Sequence, residues 1–223
     1  PFILSIRSEA DYNAGHIKGA ALAAWGPDLA SKVSMLPTDE TVYVYCYSGQ
    51  TAGQTIALLN MLGIDAVSVK SGYNVGATAV EGYEAYVTTE ATALTDAGAE
   101  FDAVMLKAVQ DYFNAVTDNA NFKIGWDDTQ AAVDAGTATV VDIRTAEDFA
   151  AGHIVNAVNV PFGANMQESF GDLPKGKLII ACYSGQTAGQ TTAVLRMLGY
   201  DAVSLHFGMK VGWIAEGYPV VTD

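Results

Sequence analysis

Cys46-Tyr47-Ser48-Gly49-Gln50-Thr51-Ala52-Gly53-Gln54-Thr55 is a stretch that the chain carries twice, for the same letters return unchanged over residues 182–191. Each copy follows a short apolar run, residues 42–45 in one and 178–181 in the other, and each leads into an amphipathic segment. An apolar run, a polar glycine-bearing turn and an amphipathic segment, in that order, predict strand, tight loop and helix. The chain's 2 cysteines, Cys46 and Cys182, both stand at the first loop position. There a strand ends, and the amides of the loop and of the first helical turn can converge on one atom and favour its charged form.

The repeat extends outward in both directions. Residues 2–7 with 10–17 align on residues 140–144 with 146–154, each reading as a strand, a short helix opening at an acidic turn, a glycine stop and a short extended piece. Downstream of the loops, helices are predicted over 52–62 and 188–198, stopped by Gly63 and Gly199. Strands over 65–69 and 201–205 follow, then a glycine-containing loop and a second helical piece. Asp127 and Asp128 predict a capped helix over 129–135, ended by Gly136. Alternating strands and helices imply an α/β fold with a parallel sheet covered on both faces, whose sites form at the carboxyl ends of strands.

Two domains are therefore expected, residues 1–90 and 122–223, joined by a linker over 91–121. Phe101, Val104, Ala108, Tyr112 and Val116 recur at helical spacing in that linker. They predict a helix over 100–117 that either bridges the domains or simply packs on one of them. The first domain starts inside a strand, whereas its copy has residues upstream from Phe122, so it reads as N-terminally clipped, with room for a removed signal or anchor. An extracytoplasmic location is the expectation, with a cytoplasmic one as the alternative.

Of 223 residues 50% are hydrophobic and only 16% charged, which excludes disorder, and no apolar run approaches the roughly 20 residues that span a bilayer. A net charge of -14 argues against nucleic acid as a partner and disfavours anionic surfaces. Cysteines at equivalent positions of two domains each lie in their own loop, so they read as free thiols. No cysteine or histidine has a partner at ligand spacing, so no metal is expected. His16 and His153 read as structural hydrogen-bonding residues, and His206 either lines the mouth of the second site or faces solvent, the latter being the expectation. Arg7 and Arg144 are expected to pair with nearby carboxylates and brace the loops. Tyr47 and Tyr183 fit either a pocket rim or the core. Trp126, Trp213 and the triplets Glu81-Gly82-Tyr83 and Glu216-Gly217-Tyr218 read as packing and turn residues.

Cys-x-x-Gly-x-Thr after a strand, Asp142-Ile143-Arg144 before an acidic turn, and Gly152-His153-Ile154 followed by Ala157 together resemble the rhodanese family of sulfurtransferases. The resemblance covers both units, as in a tandem rhodanese. It implies about five parallel strands per domain and a loop cysteine that carries sulfane sulfur as a persulfide, with no cofactor. Cys46 and Cys182 become the sulfur carriers. Tyr47, Ser48, Gly49, Gln50 and Thr51 form one substrate cradle, and Tyr183, Ser184, Gly185, Gln186 and Thr187 the other. The implied partners are a small sulfur-containing donor and a thiol acceptor.

The chain departs from the family pattern in three ways. Tandem members commonly keep the cysteine only in the second domain, but here both have it. Ser5-Ile6-Arg7 replaces the first Asp-x-Arg. Neither loop contains the Arg or Lys that members using thiosulfate often place there, which points to polysulfide or persulfide donors. The same fold also carries a cysteine phosphatase, but that chemistry needs an arginine where this chain has Ala52 and Ala188. Beside the enzymatic reading stand a non-catalytic sulfur carrier or sulfide sensor, and an idle structural duplicate.

Overall fold

The computed structural model describes residues 1–117 and 121–222, which divide into two compact units, Pro1–Asn121 and Phe122–Asp223. The first contains strands β1 (Phe2–Ser5), β2 (His16–Ile17), β3 (Ala20–Leu22), β4 (Val42–Tyr45), β5 (Ala66–Ser68) and β6 (Val87–Thr88). Its helices are α1 (Glu9–Ala14), α2 (Pro27–Lys32), α3 (Gln50–Met61) and α4 (Ala103–Asn114). The second contains β7 (Lys123–Ile124), β8 (Ala138–Asp142), β9 (Val158–Asn159), β10 (Lys177–Ala181) and β11 (Asp201–Leu205), with α5 (Trp126–Asp134), α6 (Ala146–Ala151) and α7 (Gln186–Met197).

Each unit is built on a parallel sheet. The order is β3-β1-β4-β5 in the 4-stranded first sheet and β7-β11-β10-β8-β9 in the 5-stranded second. The cysteine-bearing strands β4 and β10 thus lie in the sheet interior, as their unbroken apolar runs require of strands covered on both faces. Along β10 the side chains alternate between two cores. Leu178 and Ile180 pack with Val141 and Leu195 on one face, while Ile179 and Ala181 pack with Val140, Leu205 and Trp213 on the other.

Several elements differ from the sequence expectation. The helix of the linker is α4, capped by Asp102, whose carboxylate accepts from Val104 N at 3.0 Å and Met105 N at 2.9 Å. Its buried face is Val109, Tyr112, Phe113 and Val116, whereas Val104, placed on the predicted stripe, is 80% exposed. Tyr112 and Val116 of the predicted stripe are thus buried, joined by Val109 and by Phe113, whose ring meets Trp25 edge-on at 5.4 Å. The helix packs on α2 and α3, within the first unit. In α5 the N-cap is Gly125, and Asp127 and Asp128 lie in the first turn, where they face the positive end of the helix dipole without capping it. The second helical pieces after β5 and β11 are single π-turns, Gly72–Gly76 and Gly208–Trp213. Among the described residues, no helix is long and apolar enough to cross a membrane.

Candidate active site

At the carboxyl end of each interior strand the chain turns sharply into a helix. Gly49 and Gly185 sit at the N-caps of α3 and α7 with φ of 92° and 90°, a left-handed conformation that side chains resist. Neither helix has a side-chain cap, so the first-turn amides are left in need of acceptors. The cysteine sulfur serves as one. Gly49 N donates to Cys46 Sγ at 3.1 Å and Ala52 N donates to it at 3.4 Å, while Gly185 N donates to Cys182 Sγ at 3.1 Å. Both cysteines are free and only 2% exposed. The amides that face each sulfur are already oriented toward it.

The residue after each cysteine ties the loop to the neighbouring helix. Tyr47 Oη donates to Asp11 Oδ2 at 2.5 Å and accepts from Ser8 N at 3.0 Å. Tyr183 Oη donates to Asp148 Oδ2 at 2.5 Å and accepts from Thr145 N at 3.3 Å. Ser8 and Thr145 are themselves the N-caps of α1 and α6. The hydrogen bond from Tyr47, then that from Ser8, holds the Asp11 carboxyl below its ordinary range. Asp148 is lowered likewise, chiefly by Tyr183. At 37% exposure each, Tyr47 and Tyr183 are not core residues, and Tyr183 lines a surface cavity with Arg144, Asp148 and Lys210.

The loop is backed by a second glycine that sequence reasoning passed over. A Cβ on Gly72 would lie 2.7 Å from Gly49 N, Ser48 N and Tyr47 C, and one on Gly208 would lie 2.8 Å from Gly185 N and Ser184 N and closer still to Cys182 O. The chain after β5 and β11 therefore runs in backbone contact with the cysteine loop. The signal lay in the recurrence of a glycine at the same distance from both cysteines. Asp11 and Asp148 were legible only as acidic helix starts, since their tyrosine partners lie 36 and 35 residues away.

The two arginines behave differently. Arg144 grips Asp142 through Nε and Nη2, at 3.0 and 2.6 Å, and donates from Nη2 to Gly152 O at 2.7 Å. Arg7 keeps the matching bond to Gly15 O, but Ser5 has replaced the carboxylate, and among the described residues none pairs with it. Its guanidinium lies instead over the rings of Tyr73, at 3.9 Å, and Tyr45, at 5.7 Å. The expected carboxylate pairing thus fails for Arg7. Both arginines brace the turn after α1 or α6.

His16 Nδ1 and Nε2 face the carbonyls of Tyr12 and Glu90, at 2.8 and 3.0 Å, and His153 Nδ1 faces that of Phe149 at 2.9 Å. Each ring stacks on an aromatic of the preceding helix, Tyr12 or Phe149. His206, expected to face solvent, is half-buried beside Trp126 and Phe207. Burial, with help from the Lys123 charge, pushes its pKa down. Among the described residues, no group of three or more His, Cys, Asp or Glu could hold a metal ion.

A strand-end cysteine cradled by loop amides, present twice on a parallel α/β unit, defines the class of the site. The model of the rhodanese-like domain matches residues 1–78 and 126–216. The chain belongs to the rhodanese family. It is 31% identical over 94 residues to a sulfurtransferase of Allochromatium vinosum, a match that covers 42% of this chain and 87% of the relative. Among solved structures, a rhodanese-related protein of Thermoplasma volcanium is 30% identical with a TM-score of 0.40, over 45% of this chain and 98% of that one. A structure described as a probable thiosulfate sulfurtransferase is 20% identical with a TM-score of 0.42, over 98% of this chain and 96% of that one.

Proposed function

We propose that the chain is a sulfurtransferase in which Cys46 and Cys182 each carry sulfane sulfur as a persulfide. The thiolate attacks the outer sulfur of a donor. A new S–S bond forms, the donor's own sulfur bond breaks, and the bonding pair leaves with the departing anion. An acceptor thiolate then attacks the terminal persulfide sulfur, takes it away as a new persulfide, and restores the cysteine thiolate. The observation that carries this reading is the placement of backbone amides on both sulfurs, Gly49 N at 3.1 Å and Ala52 N at 3.4 Å on Cys46 and Gly185 N at 3.1 Å on Cys182. Such amides stabilise one negative charge on the persulfide without any cofactor.

The donor class follows from charge. Neither loop holds Lys or Arg and the chain as a whole carries -14, so a dianion such as thiosulfate gains little from the loops themselves, although Arg144 and Lys210 line the cavity beside Tyr183 in the second unit. Polysulfide or a low-molecular-weight persulfide suits the site better. Incubation with polysulfide followed by intact mass spectrometry tests the carrier step. We expect a gain of about two sulfurs on wild type, one for each cysteine, of about one on Cys46→Ser and on Cys182→Ser, and of none on the double variant. Turnover with a dithiol acceptor then separates an enzyme from a carrier that loads but does not release. Loading of the double variant would sink the assignment of the cysteines.

A further inference from the structure

The segments after β5 and β11 run in the same register against their cysteine loops. Tyr73 N donates to Cys46 O at 2.8 Å and Asn74 N to Tyr47 O at 2.9 Å. Met209 N and Lys210 N do the same to Cys182 O and Tyr183 O, at 2.6 and 2.9 Å. The two loops are identical in sequence, so the residues that this register sets beside them are what can make the sites differ. Asn74 in the first unit and Lys210 in the second hold the same place, next to the residue bonded to the cysteine carbonyl, and both are exposed. One is neutral and the other carries a full charge.

In the second unit Lys210 lines a cavity of about 370 Å³ together with Tyr183, Asp148, Arg144, Gly152 and Ile214. The other charged groups of that wall are already engaged. Arg144 Nη2 donates to Asp142 Oδ2 at 2.6 Å and to Gly152 O at 2.7 Å, and Asp148 Oδ2 accepts from Tyr183 Oη at 2.5 Å and from Thr145 Oγ1 at 3.3 Å. Lys210 differs. Among the described residues no carboxylate lies within ion-pair distance of its ammonium, and its charge acts on Asp148 from further off. A lysine has a flexible stem and three donors, so an anionic group brought in beside Tyr183 finds a partner able to turn toward it. The first unit offers no such cation at the matching place. Its Arg7 lies against the Tyr73 ring at 3.9 Å, and the Tyr73 hydroxyl stands over the Gly15 turn, 3.8 Å from where a Cβ on that glycine would be. Met209, the counterpart of Tyr73, is instead fully buried in the core, and the Gly152 turn faces the cavity.

We propose that Lys210 makes the second site selective for persulfide donors that carry a carboxylate near the reacting sulfur, while the first site, with Asn74 in that place, does not distinguish them from neutral ones. This rests on the sulfur-transfer reading. The Cys182 thiolate takes the outer sulfur of the donor R–S–S⁻, the donor's S–S bond breaks, and its electron pair leaves on the thiolate R–S⁻, whose carboxylate is held by Lys210 throughout. The test compares the persulfides of 3-mercaptopropionate and 2-mercaptoethanol, which differ by the carboxylate, on the full chain with one cysteine left at a time and a dithiol as acceptor. With Cys182 alone, in the Cys46→Ser protein, KM for the carboxylate donor should be about two- to fivefold lower than for the neutral one, as one exposed ion pair provides, and the gap should close at high salt. With Cys46 alone, in the Cys182→Ser protein, the two KM values should be the same. Lys210→Asn should remove the preference and Lys210→Arg should keep it. Equal KM values at Cys182 in a protein that turns both donors over, or a preference that survives Lys210→Asn, would overturn the proposal alone. Failure of either persulfide to load Cys182 or Cys46 at all would overturn the sulfur-transfer reading and the proposal together.

Discussion

Replacing Gly208 by alanine presses directly on the Cys182 loop. The added Cβ would lie 2.8 Å from the amide nitrogens of Ser184 and Gly185 and closer still to Cys182 O, where ordinary contact begins at 3.4 Å, so the loop must recede by at least about 0.6 Å. One of those nitrogens is the donor that sits 3.1 Å from Cys182 Sγ. The same φ strain exists at Gly199, with φ of 88° against 62° at Gly208, but a Cβ at Gly199 meets nothing within 4 Å. Both substitutions therefore cost about 1–2 kcal/mol of left-handed strain, and only Gly208→Ala also moves the cradle. Misplacing a donor by a fraction of an ångström, or losing it, reduces rate by about 10- to 100-fold. The assay is persulfide turnover in a Cys46→Ser background, so that Cys182 is the only carrier, with urea unfolding as the measure of strain. Equal turnover in the Gly208→Ala and Gly199→Ala proteins would refute the role given to close backbone contact.

Further outcomes follow from the same structure. Asp142→Ala leaves the Arg144 charge buried without its partner and should destabilise the second unit by about 3–5 kcal/mol, whereas Ser5→Ala in the first unit should cost under about 1 kcal/mol; chemical unfolding of each variant compares them. The lowered pKa values of Asp11 and Asp148 mean that the stability they add is present above the ordinary carboxylate range and is lost as pH falls through their folded values. Tyr47→Phe and Tyr183→Phe should move the respective carboxyl titration upward, which carbonyl NMR reads directly, and an unmoved titration would remove the tyrosine from the account. Catalytic efficiency should favour polysulfide over thiosulfate at both low and high salt, with the gap narrowing as salt screens the net charge; a thiosulfate preference at both would overturn the donor assignment.

What the sequence determined by itself was local or repeated. The apolar runs of β4 and β10, the glycine-bearing turn and the helix after it are written in consecutive residues, and their recurrence marked two units and two cysteines at strand ends. Tertiary structure decided what depended on residues far apart. The Tyr47–Asp11 and Tyr183–Asp148 ties and the approach of Gly72 and Gly208 exist only once the parallel sheet brings separate loops together at its carboxyl edge. The buried face of α4 took in Phe113, which meets Trp25, and left out Val104. Identical letters also acquired different surroundings. Gln54 is fully buried and accepts a hydrogen bond from Tyr112 Oη at 2.6 Å, while Gln190, its copy, is partly exposed. Burial is a property of what packs against a side chain, and a repeat specifies its own letters but not its neighbours.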